Sequence, residues 1–519
     1  ATPDTAGSAR TGGVATIVRT ELAEARSGRE DRRTALASLV QLTDVHLVDA
    51  QSPDAFRIRA PLHGSAFRPH ETLTAQGLVA LVARVNALAS GPHTQRPFDA
   101  VVSTGDNTDN KEFAELGWFL TALNGGTIVP NTGAPDRYEG VQNSGADLYW
   151  NPESSIQDMY KKAGFPEIPG LLGAAISPVT SPGLRTPWYC VFGNHDDSVQ
   201  GTVPSGIPPL EAMYTGSLKF EVPGSPEEAK TVDVATRFDP GAIPAALSAI
   251  TTPARVVTPD PARAPFTPRQ FIAAHLDPAN TGPGPVGHGF APDAGETGIG
   301  YYSFEIAPGV VGISMDSTNR AGGFVDGSLG AAQFRWIEDT LVAGSSRYFD
   351  TAGNPVSQVR NDTWFVLFSH HTSGSMDNVV PDPSAPAEPR IRVRDWWICC
   401  TDSRTSSPGS TGTPTRTGSH RGPDRLRSSR SGRSTRPRTS TSPSTGGSSR
   451  WSTTSTEPCR CSRRCSRPTA PTPSTTPISH RSGWRRCTGS CRSTTFTRTP
   501  TCSAGHPTGT SNWYWRRVA

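Results

Sequence analysis

The chain of 519 residues is poor in cysteine where it can fold and poor in aliphatic side chains where it cannot. Cys190 is the only cysteine before Cys399, so no internal disulfide can staple the first 398 residues. The later cysteines (Cys459, Cys461, Cys465, Cys487, Cys491, Cys502) have no zinc-ligand spacing. No run of 18 apolar residues exists, which excludes a membrane-spanning helix. The last 119 residues lack lysine altogether and hold only three aliphatic residues larger than alanine, Leu426, Ile478 and Val518. Such a segment cannot bury enough apolar surface to offset the entropy of ordering it, which excludes a globular C-terminal domain.

What the tail has instead is 25 Ser, 25 Thr and 21 Arg against three acids, a balance of +18. The first 400 residues carry 29 Lys and Arg against 43 Asp and Glu, a balance of −14, with ordinary apolar content. The overall +4 therefore averages two different chemistries. The expected organisation is a flexible leader over residues 1–34, a folded domain over 35–393, and a low-complexity basic tail over 394–519. The chain opens on Ala1 without Met, so an N-terminal segment has been removed or was never included; a lost export signal, not visible here, would place the chain outside the cell or in its envelope, and otherwise the expectation is the cytoplasm.

Periodicity within 35–393 reads as alternating strands and helices. Residues 37–42 form a short apolar strand, and Leu78, Leu81, Val82, Val85 and Leu88 form one face of a helix over 74–89. A strand over 98–103 follows, then a helix marked by Phe113, Leu116, Leu120 and Leu123. Further strands are expected at 187–192, 301–306, 310–316 and 364–368, and a helix near 333–341. The 301–306 and 310–316 strands read as a hairpin. The alternation predicts an α/β fold. Two stretches rich in Gly and Pro, about 125–185 and 198–298, interrupt it as insertions. The first reads as having little regular structure, and both are candidates for lids. Their aromatics Tyr149, Trp150, Tyr160 and Phe220 suit local core better than a substrate platform. No internal repeat is present.

Four strand ends carry polar side chains: Asp44 and His46; Asp106 and Asp109; Asn194, His195 and Asp196; His370 and His371. Each alone is a turn or a surface histidine. In this order, each after an apolar strand, they suit divalent metals, because carboxylate and imidazole are ligands for Fe, Mn or Zn. A shared carboxylate, for which Asp106 is the natural choice, can hold two cations about 3.5–4 Å apart. Parallel strands deliver their carboxyl ends to one edge, where ligand sites form.

Asp44-Val45-His46, Gly105-Asp106-Asn107-Thr108-Asp109, Gly193-Asn194-His195-Asp196 and Ser369-His370 resemble, in order, the signature blocks of the calcineurin-like metallophosphoesterases. The resemblance covers about residues 37–393, and its insertions are similar to those of an actinobacterial-type branch. It implies a four-layer α/β/β/α sandwich and two metal ions. Asp44, His46 and Asp106 would bind the first ion; Asp106, Asn194 and His370 the second, with His371 as the alternative to His370. His195 would be a non-ligating acid near the phosphate, with Asp196 or another acid as its partner. Asp109 and Asp49 read as loop or outer residues.

The resemblance also calls for a Gly-His-x-His block after His370, and none is present; His420, His480 and His506 stand isolated. The anomalous tail begins where that block should lie. Reading each codon one base early tests for a frame shift. The genetic code then forces Leu from Asp395-Trp396, Val from Trp396-Trp397, Asp from Trp397-Ile398 and Leu from Cys399-Cys400. Ile398-Cys399 becomes Leu or Met, Cys400-Thr401 becomes His or Tyr, and Asn512 to Trp515 becomes Leu-Val-Leu. Residues 409–415 permit, by codon degeneracy, Val-Asn-Gly-His-Thr-His. The expectation is a translation out of frame from about residues 388–395 onward.

The function expected from the resemblance is binuclear metal-dependent hydrolysis of phosphate mono- or diesters, with a phosphate-ester small molecule as partner and with activity impaired in this chain for want of the missing block. Two rivals come from other classes: a non-catalytic binding protein on the same scaffold, and a nucleic-acid or anionic-surface arm made by the basic tail.

Overall fold

The computed structural model describes residues 27–28, 30–52, 55–92, 94–204 and 206–392. The expectations for most of the leader, for the tail, and for His420, His480 and His506 lie outside the described residues.

The alternating pattern is realised as an α/β arrangement around two small sheets. In the first, β1 (Leu39–Leu42), β2 (Ala100–Ser103) and β3 (Trp188–Cys190) run parallel in that order, with Leu39 opposite Ala100 and Val101 opposite Trp188. β2 is buried at all four positions, as the central strand of a covered parallel sheet must be. Helices α1 (Thr74–Leu88) and α2 (Phe113–Asn124) fill the crossover connections. α1 buries Ala75, Leu78, Val82 and Val85, the three- and four-residue spacing of one helical face. Each larger side chain of that face is worth about 1.5–3 kcal/mol of apolar burial.

The second sheet is made of β4 (Tyr302–Ala307), β5 (Val310–Ser314) and β6 (Trp364–Phe368). β4 and β5 form the expected hairpin, and β6 lies parallel to β5 with Trp364 opposite Val310. β4 alternates, burying Tyr302, Phe304 and Ile306 and exposing Ser303 and Glu305. The two sheets meet directly. Tyr189 stacks on Phe304 at 3.8 Å, and the Tyr302 hydroxyl donates to Cys190 O at 2.7 Å. On this side one hydrophobic cluster joins both sheets to α1 and α2. A second cluster packs α3 (Ala331–Ala343), through Ile337, against Ile313 and Phe365 of the second sheet.

The insertions are more ordered than their composition suggests. The first holds a two-stranded sheet (Gly126–Ile128 with Val179–Ser181) and two short helices. Tyr149 and Trp150 are buried there with Phe67 and Val141, a local core as expected. The second insertion is mainly helical, with Pro208–Thr215, Pro226–Phe238, Ile243–Ser248 and Pro268–Leu276. Proline in the first turn of each helix (Pro208, Pro226, Pro244 and Pro268) explains the discrepancy, since a ring that breaks a helix interior suits its first turn. Among the described residues no helix is long and apolar enough to cross a membrane.

Candidate metal centre

The loops that leave β1 and β2 stay paired beyond the strands. Asp44 N donates to Gly105 O at 3.1 Å, His46 N to Asp106 O at 2.9 Å and Leu47 N to Asn107 O at 3.1 Å. Asp44, His46 and Asp106 all take positive φ (53°, 40° and 52°), a conformation that L side chains rarely adopt. Three such residues at one sheet edge mark a place where the fold holds side chains against local preference. Glycine supplies the room. A Cβ on Gly193 would come 2.1 Å from Asp106 N, and one on Gly105 would come 2.7 Å from Gly193 N.

The Asp196 carboxylate clamps these loops together. It accepts from the backbone N–H groups of Asn107, Thr108 and Gly193, and from the side chains of Asn107 and Thr108. Asp196 is thus committed to the loop groups of residues 107, 108 and 193, and of the two choices the sequence left open for the partner of His195, Asp196 or another acid, the second is the one seen. The acid at that ring is Asp109, which reads from sequence as a loop or outer residue. Asp109 Oδ1 lies 2.9 Å from His46 Nδ1, 3.1 Å from His195 Nδ1 and 2.9 Å from Arg68 Nη1. Asp49, also expected to lie outside the ligand shell, is buried and pairs with Arg263.

Asp106 stands at the middle. Its Oδ1 accepts from His195 N at 2.9 Å and lies 3.3 Å from His370 Nε2; its Oδ2 lies 3.4 Å from His46 Nε2 and 4.0 Å from His195 Nε2. Two triads able to hold a metal share it: His46, Asp106 and His195, and Asp44, Asp106 and His370. Asn194 Oδ1 lies 3.0 Å from His370 Nε2. The expected ligands therefore converge; Asp44 groups with His370, and His195, expected outside the ligand set, also lies within reach of His46 and Asp106. His46 Nε2 remains 3.8 Å from Asp44 Oδ1, so the expected Asp44–His46–Asp106 set is also within reach.

His371 is not a rival to His370. Its Nε2 donates to Val325 O at 2.8 Å and its Nδ1 lies 2.8 Å from Ser317 Oγ, leaving no nitrogen for an ion. Burial and the neighbouring His370 push it down to about 4.

The donor set fits a cation. Asp109 and the carbonyl of Thr104 can only accept, so His46, His195 and His370 each carry a hydrogen on Nδ1. Their Nε2 lone pairs then face the oxygens of Asp106, and for His370 also that of Asn194. Acceptor against acceptor is repulsive unless a positive charge lies between them. Ligand atoms about 2.0–2.2 Å from a shared ion stand roughly 3.0–3.4 Å apart, which matches the 3.0, 3.3 and 3.4 Å separations here. In the metal-free arrangement protons take that place. Burial opposes charge on His370, but Asp106 outweighs it and lifts the imidazole to about 9. Burial likewise opposes the Asp106 carboxylate, and His370, His195 and His46 together hold it well below its usual range.

Arg68 is the site residue the sequence did not reveal. It lies in a stretch of 3-10 turns between β1 and α1, where no periodicity points to a fixed position. Its only sequence signal is a cation close ahead of α1.

No protein-family model matches the chain, and no curated protein matches it.

Proposed function

We propose that the chain is a binuclear metal-dependent phosphoesterase of the calcineurin-like type, hydrolysing phosphate mono- or diesters. The observation that carries this reading is the convergence of Asp44, His46, Asn194 and His370 on the carboxylate of Asp106. The packing supports it: α1 and α2 share one apolar cluster with both sheets, and α3 packs against the second sheet, contacts that a four-layer α/β/β/α sandwich would require. Two ions of the Mn, Fe or Zn class would, when bound, supply Lewis acidity and lower the pKa of coordinated water.

The chain's own residues do the rest. Asp106 keeps both halves of the site in register. Asp109 holds the His46 and His195 rings with Nε2 facing inward, and the Thr104 carbonyl does the same for His370. Asp44 is half exposed and stands at the open side, where substrate would enter. His195 is the candidate acid: burial disfavours its charge, yet Asp106 and Asp109 raise its affinity for a proton. At 4.0 Å its Nε2 is the nitrogen farthest from Asp106; left outside the ligand shell at that distance, it can give that proton to the departing oxygen.

Metal analysis together with hydrolysis of p-nitrophenyl phosphate and its bis ester tests the reading. Near two equivalents of metal, lost in Asp106→Asn along with turnover, is the expected result. A chain that takes up no metal would instead be a binding protein on this scaffold.

A further inference from the structure

We propose that Arg68 binds the phosphate of the substrate and biases the site toward phosphomonoesters. The inference rests on the phosphoesterase reading. Arg68 commits one nitrogen: Nη1 donates to Asp109 Oδ1 at 2.9 Å. Its Nε and Nη2 carry no hydrogen bond among the described residues, and a fifth of the side chain is exposed. The guanidinium thus presents unused donors to solvent, separated from the inward-facing nitrogens of His46 and His195 by Asp109 Oδ1 and one imidazole ring.

Its backbone is anchored as well. Arg68 N donates to Glu71 Oε2 at 3.1 Å, and Glu71 is fixed in turn by Arg57 at 2.6 Å. An arginine held at one arm with the other free is preorganised for an oxyanion, because a planar fork can serve Asp109 and a phosphate oxygen together. Lysine, a point charge, would have to choose between them. A monoester offers a second anionic oxygen that a diester lacks, so the free donors discriminate between the two classes.

The experiment uses the full chain with Arg68→Ala and Arg68→Lys, measuring metal content, calorimetric affinity for inorganic phosphate, and kcat/KM for p-nitrophenyl phosphate and for its bis ester. Expected is a fall of about 100-fold for the monoester and under about 5-fold for the diester, consistent with loss of a charge-assisted hydrogen bond. Phosphate binding should weaken about tenfold or more, metal content should hold, and added guanidinium should partly restore Arg68→Ala. Equal falls for both esters accompanied by metal loss would reduce Arg68 to a prop for Asp109 and overturn the proposal. An unchanged monoester-to-diester ratio in a metal-loaded, active chain would overturn it while leaving the phosphoesterase reading intact. A wild-type chain without metal or turnover would remove both.

Discussion

Asp109 Oδ1 stands 3.1 Å from the Nδ1 of His195, three residues along the chain from the carboxylate that the two candidate metal triads share. That oxygen also meets His46 and Arg68, so one acidic group orients two imidazoles and is balanced by one guanidinium. Burial opposes its charge, and Arg68, His195 and His46 together hold the Asp109 carboxyl well below its usual range.

Asp109→Asn should therefore disturb metal binding without removing a ligand. An amide can offer a hydrogen where both rings need an acceptor, which frees the rings to turn. A loss of about 10–100-fold in metal affinity is expected, read by equilibrium dialysis against a competing chelator. Wild-type affinity in this variant would mean the rings are held by packing alone.

Asp196→Ala should act on stability first. It removes the acceptor for five buried donors that tie the β2 loop to Gly193. A loss of about 2–4 kcal/mol is expected from unsatisfied buried donors, measured as a lower urea midpoint in both the presence and absence of metal. If activity vanished at full stability, Asp196 would belong to the chemistry after all.

A second buried histidine pair predicts the acid response. His275 Nδ1 lies 2.9 Å from His288 Nδ1 amid Phe119, Trp188, Phe271 and Phe290, and among the described residues no other titratable group sets their state. Burial pushes His288 down to about 3, and burial with the neighbouring His288 puts His275 well below the ordinary value. Both folded pKa values are depressed, so the unfolded chain takes up protons first as pH falls below about 6.5. Stability is then full above that pH and declines toward pH 3, by about 2 kcal/mol from His288 alone at pH 5. Denaturant midpoints across pH 4–8 should show this slope, and the double variant His275→Leu, His288→Phe should flatten it.

The tail makes a prediction at the level of the gene. DNA sequencing across the codons for residues 388–395 should reveal a frame that restores a Gly-His-x-His block. The frame-restored chain should bind metal more tightly and hydrolyse phosphate esters faster than the chain as it stands. Equal activity of the two, or an uninterrupted frame in independent isolates, would remove this explanation.

The six strands of the two main sheets, the helix over 74–89, the helix marked by Phe113, Leu116, Leu120 and Leu123, and the candidate ligand residues at the strand ends were legible in the amino-acid order; the shorter two-stranded pairings were not. Periodicity is a local property, and Asp, His and Asn after short apolar runs are local too. The helical content of the second insertion was masked by prolines that sit in first turns, where they do no harm.

What only the tertiary structure decided was partnership. On paper the partner of His195 is Asp196 or another acid, with Asp109 read as a loop or outer residue, and His370 and His371 are adjacent in the chain. The choice came from how far each backbone turn carries a side chain. The positive φ values of Asp44, His46 and Asp106, and the glycine contact between Gly105 and Gly193, aim these groups within 3–4 Å of one another. Arg68 reaches them from a segment without any pattern. Sequence determined which chemical groups exist and on which strand ends they sit; long-range packing determined which of them face the same point in space, because that depends on residues far apart in the chain.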